Sequence, residues 1–227
     1  MTTPSVLFGP SGGFGAITGC ELKSDTPNEQ SDRARAFDSK GNEVKAKLHN
    51  KRTEYTSIYE IVSDTNGVGA LILGSLMNGR IVTSIAIGTS NGDDANTVTL
   101  TGHQHADNAH YNTLQQAEIS CAGVTAFGVV DFLGGTAGDS AAPSAGEITF
   151  ACQHNDKTGP AGDHFIGENY DAMVVAKTTW EGVPETDAAD GWDKTSTSNP
   201  VSTTEFQTTI VEGTKTMAIA APDAPTP

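Results

Sequence analysis

Arg80-Ile-Val-Thr-Ser-Ile-Ala-Ile-Gly-Thr89 is the stretch that decides the fold class. It is dense in β-branched residues, alternates apolar with small or polar side chains, and reads as the strongest strand in the chain. Asn91-Gly-Asp-Asp94 follows it, and then a second alternating run from Thr97 to Thr101. Asn-Gly between two such runs is a hairpin signal, here with a loop longer than the tightest two-residue type.

Working outward, Arg33 to Phe37 and Glu43 to Leu48 alternate on either side of Asp38-Ser-Lys-Gly41, a turn in which glycine supplies positive φ. Glu54 to Val62 is a third period-two run, so residues 33 to 62 predict a three-stranded antiparallel meander. Further strands are expected at Glu118 to Val124, Glu147 to Gln153, Ala172 to Trp180 and Glu205 to Val211. Only Asp107 to Glu118, with Tyr111 and Leu114 three apart, suggests a short helix. The expectation is an all-β protein, an antiparallel β-barrel or sandwich with that short helix, an extended N-terminal arm and long loops. The expected organisation is a Gly/Pro/Ser-rich arm over 1–31, one domain over 32–211 with loop excursions at 134–146 and 182–204, and a C-terminal tail over 212–227.

Charge narrows the function classes. The 227 residues carry 13 basic and 28 acidic side chains, a net charge of −15, and the imbalance lies wholly beyond residue 80. An acidic body repels nucleic-acid phosphates and anionic lipid, which disfavours ordinary DNA binding and polybasic membrane docking, yet suits a wall that DNA slides past. With 36% hydrophobic and 6% aromatic residues the chain is leaner than a lone compact enzyme, so much of it is expected in loops or contacts with other chains. There is no run of about 20 apolar residues for a membrane span. Met1-Thr-Thr-Pro-Ser5 lacks the basic and apolar regions of a secretory signal, and cytoplasmic synthesis is the expectation. Cys20, Cys121 and Cys152 then read as reduced thiols packed as small apolar groups, with a Cys121–Cys152 bridge as the alternative.

The sharpest chemical feature is His103-Gln-His105-Ala-Asp107-Asn-Ala-His110. Imidazoles at i and i+2 of an extended chain point to one side, and His110 is able to return to the same ion, making His103, His105 and His110 a candidate Zn or Fe site, structural or adventitious. A solvated strand-end loop is the plainer account. The cluster also resembles the His-x-His-x-Asp-His motif of metallo-β-lactamase-like hydrolases, but Asn108 stands where that motif has its next histidine. His154 and His164 complete a site only if their segment folds beside the first. Gly138-Asp-Ser-Ala-Ala-Pro143 resembles the nucleophile loop of trypsin-like proteases, with Ala141 and Ala142 in place of glycines and too short an interval from His103 for the rest of that fold. Asp93, Asp94, Asp139, Asp156, Asp163 and Asp171 read as charged loop tips, with Ca²⁺ ligation as the alternative.

Val98-Thr-Leu-Thr-Gly-His-Gln104 and Ile148-Thr-Phe-Ala-Cys-Gln-His154 share an order of residue types. Seven positions are too few for a duplication, and recurring strand-end chemistry accounts for them equally well.

Arg33-Ala-Arg-Ala-Phe-Asp-Ser-Lys-Gly-Asn-Glu-Val44, with Thr53-Glu-Tyr-Thr56 and Val82 to Asn91, resembles small phage structural proteins of the tail-tube type over roughly residues 30 to 100. The resemblance implies a non-enzymatic virion subunit without a cofactor. It also implies stacked hexameric rings of identical subunits around a DNA conduit, built in the host cytoplasm, with other virion proteins as further partners and no membrane. A connector, baseplate or capsid decoration protein is the neighbouring alternative, and a metal-dependent hydrolase built on the histidines the more distant one. Under the tube reading Arg33, Phe37, Tyr55 and Tyr59 of the meander, with Trp180 and Trp192 flanking the second excursion, are the candidate assembly contacts.

Overall fold

The computed structural model describes residues 12–105, 123–139, 141–160, 164–189, 191–199 and 207–217. The protein is all-β and antiparallel. Among the described residues nine strands form one sheet: β1 (Cys20–Phe37), β2 (Glu43–Ile61), β3 (Leu76–Met77), β4 (Arg80–Ser90), β5 (Thr97–His105), β6 (Ala142–Thr158), β7 (His164–Glu181), β8 (Asp193–Ser198) and β9 (Thr208–Thr216). The order across the sheet is β1-β2-β5-β4-β6-β7-β9-β8, with β3 pairing β4 off that path. The outer strands β1 and β8 do not pair with each other, so the sheet is open rather than a closed barrel.

The middle of the sheet follows the apolar alternation. Ile85 and Ile87 of β4, Val98 and Leu100 of β5, Ile148 and Phe150 of β6, Val174 and Ala176 of β7 and Val211 of β9 make one buried layer. The connecting segments cover it: Phe14 and Ile17 before β1, Val68, Leu71 and Leu73 around a 3-10 turn at Val68–Ala70, and Val124, Ala126 and Leu133 before β6. Asn96 ties these covers together. Its buried amide donates to the carbonyls of Thr125 (2.9 Å) and Gly128 (2.8 Å), and its Oδ1 accepts from the Ser90 N–H.

Several expected boundaries move. Residues 20–31 are the first half of β1, not an arm, and residues 12–19 pack on the core through Phe14 and Ile17. Both faces of this half-strand are mostly exposed, so its polar sequence has no period-two apolar signal. Pro27 is tolerated because β1 is an edge strand. The expected meander is a single long hairpin, since 43–48 and 54–62 belong to one continuous β2 whose mismatch with β1 is absorbed by a bulge between Gln30 and Asp32. The turn at Asp38–Gly41 is as expected: Gly41 has φ +83°, and Asp38 Oδ1 accepts from the N–H groups of Lys40 and Asn42. β8 lies inside the excursion over 182–204, β6 begins inside the one over 134–146, and β9 runs five residues into the expected tail. The expected helix over 107–118 and most of the strand over 118–124 lie outside the described residues; Val124 is a buried loop residue.

Two hairpins overhang the same end of the sheet. β2 pairs β5 from Glu60↔Thr97 to Arg52↔His105, so Glu43 to Lys51 run past the described end of β5. β6 leaves β4 after Ser84↔Ala151 and continues against β7 to Thr158. The overhangs meet where Lys47 Nζ donates to the Pro160 carbonyl at 3.2 Å.

Candidate metal centre

At the root of the two overhangs, His103, His105, His154 and Asp156 converge, with one ligand atom from each within 4.8 Å of the others. Two i, i+2 pairs build the cluster. His103 and His105 share one side of β5, out of phase with the core residues Val98 and Leu100, and His154 and Asp156 share one side of β6. β4 sets their common height. Ile87 pairs with both Val98 and Ile148, Ile85 with both Leu100 and Phe150, and Ser84 with both Thr101 and Ala151. The two similar segments are therefore in register with each other across β4, and their histidines emerge together past its bulge at Val82/Ser84. Gly102 allows the approach, because a Cβ there would lie 1.8 Å from the Ile81 carbonyl oxygen.

The side chains are out of solvent: 0% exposed for His105, 7% for Asp156 and 8% for His154, with His103 at 6% as a residue. Asp156 Oδ2 lies 3.0 Å from His105 Nε2, and its Oδ1 2.6 Å from His154 Nε2. His154 Nδ1 faces Asn169 Oδ1 at 2.5 Å, and the His103 and His154 rings are 4.3 Å apart. His103 Nε2 is buried and has no hydrogen-bond partner among the described residues. Burial, reinforced by the neighbouring His154, pushes the His103 imidazole down to about 3, so at neutral pH it is an uncharged lone-pair donor. Burial resists ionisation of Asp156, but hydrogen bonds from His105 and His154 outweigh it and hold the carboxyl below the usual carboxylate range. Beside the cluster a cleft of about 520 Å³, lined in part by Glu29, Gln30, Lys51, Arg52 and Gln104, reaches His105.

The structure thus joins His103 and His105 as the sequence suggests, but with His154 and Asp156. His110 lies outside the described residues. Asp156, expected as a charged loop tip, is a buried strand residue, because β6 extends five residues beyond the apolar run that announced it. A hint of His154 lay in the similarity between residues 98–104 and 148–154, in which it stands one position out of step with His103; pairing to the same residues of β4 puts the two segments at one height.

The candidate assembly residues divide. Tyr59 and Trp180, each 1% exposed, are committed to the chain's own core, where large aromatics bury most area; they are not surface contacts. Tyr59 also accepts from the Phe14 N–H at 2.8 Å. Trp192 packs partly buried against the core, and Tyr55 lies under the Arg80 guanidinium, 3.5 Å from its ring centre. Arg33 and Phe37 are exposed on the overhanging hairpin, where Arg33 pairs with Glu43 at 2.6 Å. No described helix is long and apolar enough to cross a membrane. No protein-family model matches the chain, and no curated protein is significantly similar to it.

Proposed function

We propose that the protein is a structural subunit that polymerises with copies of itself, a virion component of the tail-tube type, and that the β1–β2 hairpin reaches the neighbouring copy. The observation that carries this reading is the hairpin itself. Every residue from Ser31 to Leu48 is exposed, including Phe37 at 57%, Val44 at 64% and Leu48 at 53%. Its overhang past Arg52 is about 30 Å at the usual rise per strand residue. An isolated two-stranded ribbon is marginal in water, and its apolar tip gains stability only when something covers it.

Charge argues that the cover is a second copy. Of the chain's 13 basic and 28 acidic side chains, seven basic and two acidic lie between Arg33 and Arg52, leaving six and 26 for the rest. A basic hairpin on one copy complements the acidic body of the next, and a head-to-tail contact of this kind closes rings or extends filaments. The outer edges of β1 and β8, without a partner strand among the described residues, offer a further route to joining sheets between copies. Acidic walls around a lumen would let DNA pass without sticking. A catalytic zinc keeps one position open to substrate, so the burial of the histidine cluster supports a role other than hydrolysis.

Light scattering and negative-stain electron microscopy at rising protein concentration test the reading. Rings or tubes of uniform width are expected, dissolving as salt is raised and weakened in the Lys45→Glu/Lys47→Glu variant. A monomer at every concentration, unchanged by that variant, refutes it.

A further inference from the structure

We propose that His103, His105, His154 and Asp156 form a closed, tetrahedral zinc site that clamps the end of β5 to the outer half of β6. The proposal stands apart from the assembly reading and rests on four observations about these side chains.

First, the donor set is three imidazoles and one carboxylate, which suits Zn²⁺; hard cations such as Ca²⁺ and Mg²⁺ take oxygen ligands, and oxygen-activating iron sites leave positions open. Second, the atoms are close to the required spacing. Bonds of about 2.0–2.1 Å in a tetrahedron put neighbouring ligand atoms about 3.3 Å apart; one ligand atom from each of the four residues falls within 4.8 Å of the others, with His105 Nε2 3.0 Å from Asp156 Oδ2 and His154 Nε2 2.6 Å from Asp156 Oδ1. Third, His103 Nε2 is buried without a hydrogen-bond partner among the described residues, a cost that metal coordination removes.

Fourth, the contacts of His154 call for a positive charge. Its Nδ1 faces the Asn169 oxygen and its Nε2 a carboxylate oxygen, so both nitrogens point at acceptors. A neutral imidazole has one N–H. Without metal an imidazolium, with an N–H on each nitrogen, answers both acceptors; when Zn²⁺ takes the place of the Nε2 proton, the N–H left on Nδ1 donates to Asn169 while Nε2 and Asp156 both ligate the ion. Asn169 then orients the ring from outside, as the hydrogen-bonding partners of zinc-bound histidines do. The four residues are each at most 8% exposed, as the ligands of a structural site are.

The test uses the full-length protein, stripped with chelator and dialysed against Zn²⁺ or Co²⁺. Elemental analysis is expected to find one zinc per chain, and the Co²⁺ form the intense visible bands of tetrahedral coordination. With zinc at a hundred times its dissociation constant, Tm should rise by about 5–10 °C. His154→Gln and Asp156→Asn should each bind at least tenfold more weakly, with circular dichroism reporting whether they fold, while His49→Ala binds as the parent does. Should either site variant fail to fold, the parent's own stoichiometry, Co²⁺ spectrum and Tm shift decide. Zinc well below one per chain, an octahedral Co²⁺ spectrum, or a Tm indifferent to zinc and chelator overturns the proposal.

Discussion

Replacing Asp25 by alanine should cost the fold about 3 kcal/mol. Asp25, in the half of β1 that has no apolar alternation, accepts both Arg80 guanidinium nitrogens at 2.9 and 3.1 Å, the Ser57 hydroxyl at 2.7 Å and the Gly13 N–H at 3.1 Å. It therefore ties the segment before β1, β2 and the start of β4 to one carboxylate. The Arg80 side chain is 10% exposed and that of Asp25 21%, so alanine strands a largely buried guanidinium. Breaking such a pair from one side costs about 3–5 kcal/mol, and the residual exposure of Asp25 puts the expectation at the lower end. In a chain of this size that is a fall in Tm of about 6–12 °C. Ser57→Ala, which removes one donor, should cost about 1 kcal/mol. The double variant Asp25→Leu/Arg80→Met should recover most of the loss, because it removes both charges. Urea unfolding followed by tryptophan fluorescence measures all four proteins, compared at equal m-values. A loss below about 1 kcal/mol in Asp25→Ala, or a double variant worse than the single, would refute the reasoning and reduce the pair to a solvent-screened surface bridge. The pH dependence has a fixed sign. Burial resists ionisation of Asp25, but Arg80 and Ser57 outweigh it and lower its folded-state pKa. The stabilisation is thus fully present above the unfolded carboxylate value of about 3.9 and disappears as pH falls through the lower folded value, so parent and Asp25→Ala should converge only in strong acid.

Three further outcomes follow from the same geometry. Asn96→Ala should cost about 2–3 kcal/mol in the same urea assay, since it deprives the Thr125 and Gly128 carbonyls and the Ser90 N–H of their partner; a loss within error would mean water replaces the amide. Gly102→Ala should destabilise by more than about 2 kcal/mol, because its methyl would sit 1.8 Å from the Ile81 oxygen; an unchanged unfolding midpoint would contradict the close approach. Burial raises the Cys152 thiol from 9.0 to about 11, so peptide mapping after iodoacetamide at pH 8 should find it labelled about 100-fold more slowly in the native protein than in urea; equal rates would place it in solvent.

The all-β class and the central hairpin were legible because Ile85, Ile87, Val98 and Leu100 bury one face and so alternate in the sequence. The hairpin turn was legible from Asp38 and Gly41, whose roles are local. Illegible were the strands that overhang. From Lys23 to Ser31 both faces of β1 are mostly polar and exposed, and the strand is held by its ladder to β2, a partner no local window contains. The same limit hid half of the candidate metal centre. His103 and His105 advertise themselves by spacing, whereas His154 and Asp156 sit in a polar stretch beyond the apolar part of β6 and join the others only through a shared neighbour strand. Tyr59 and Trp180 show the converse error: an aromatic residue beside a polar loop resembles a contact anchor, and only the packed core reveals that its face is already used.

The double register on β4 also orders the folding of the chain. Ile85 meets Leu100 after 15 residues and Phe150 only after 65. Closing the short loop is entropically cheaper and faster, so the β4–β5 hairpin forms first and waits for β6. During that interval the other edge of β4, with Ile85 and Ile87 on its apolar face, is an unsatisfied template of backbone donors and acceptors. On a ribosome making about 5–20 residues per second the wait lasts several seconds, long enough for the wrong strand from a second nascent chain to be captured. Slow codons between residues 105 and 142 should therefore shift the product toward aggregates without altering a single native contact, and an unchanged soluble fraction would contradict this order of events.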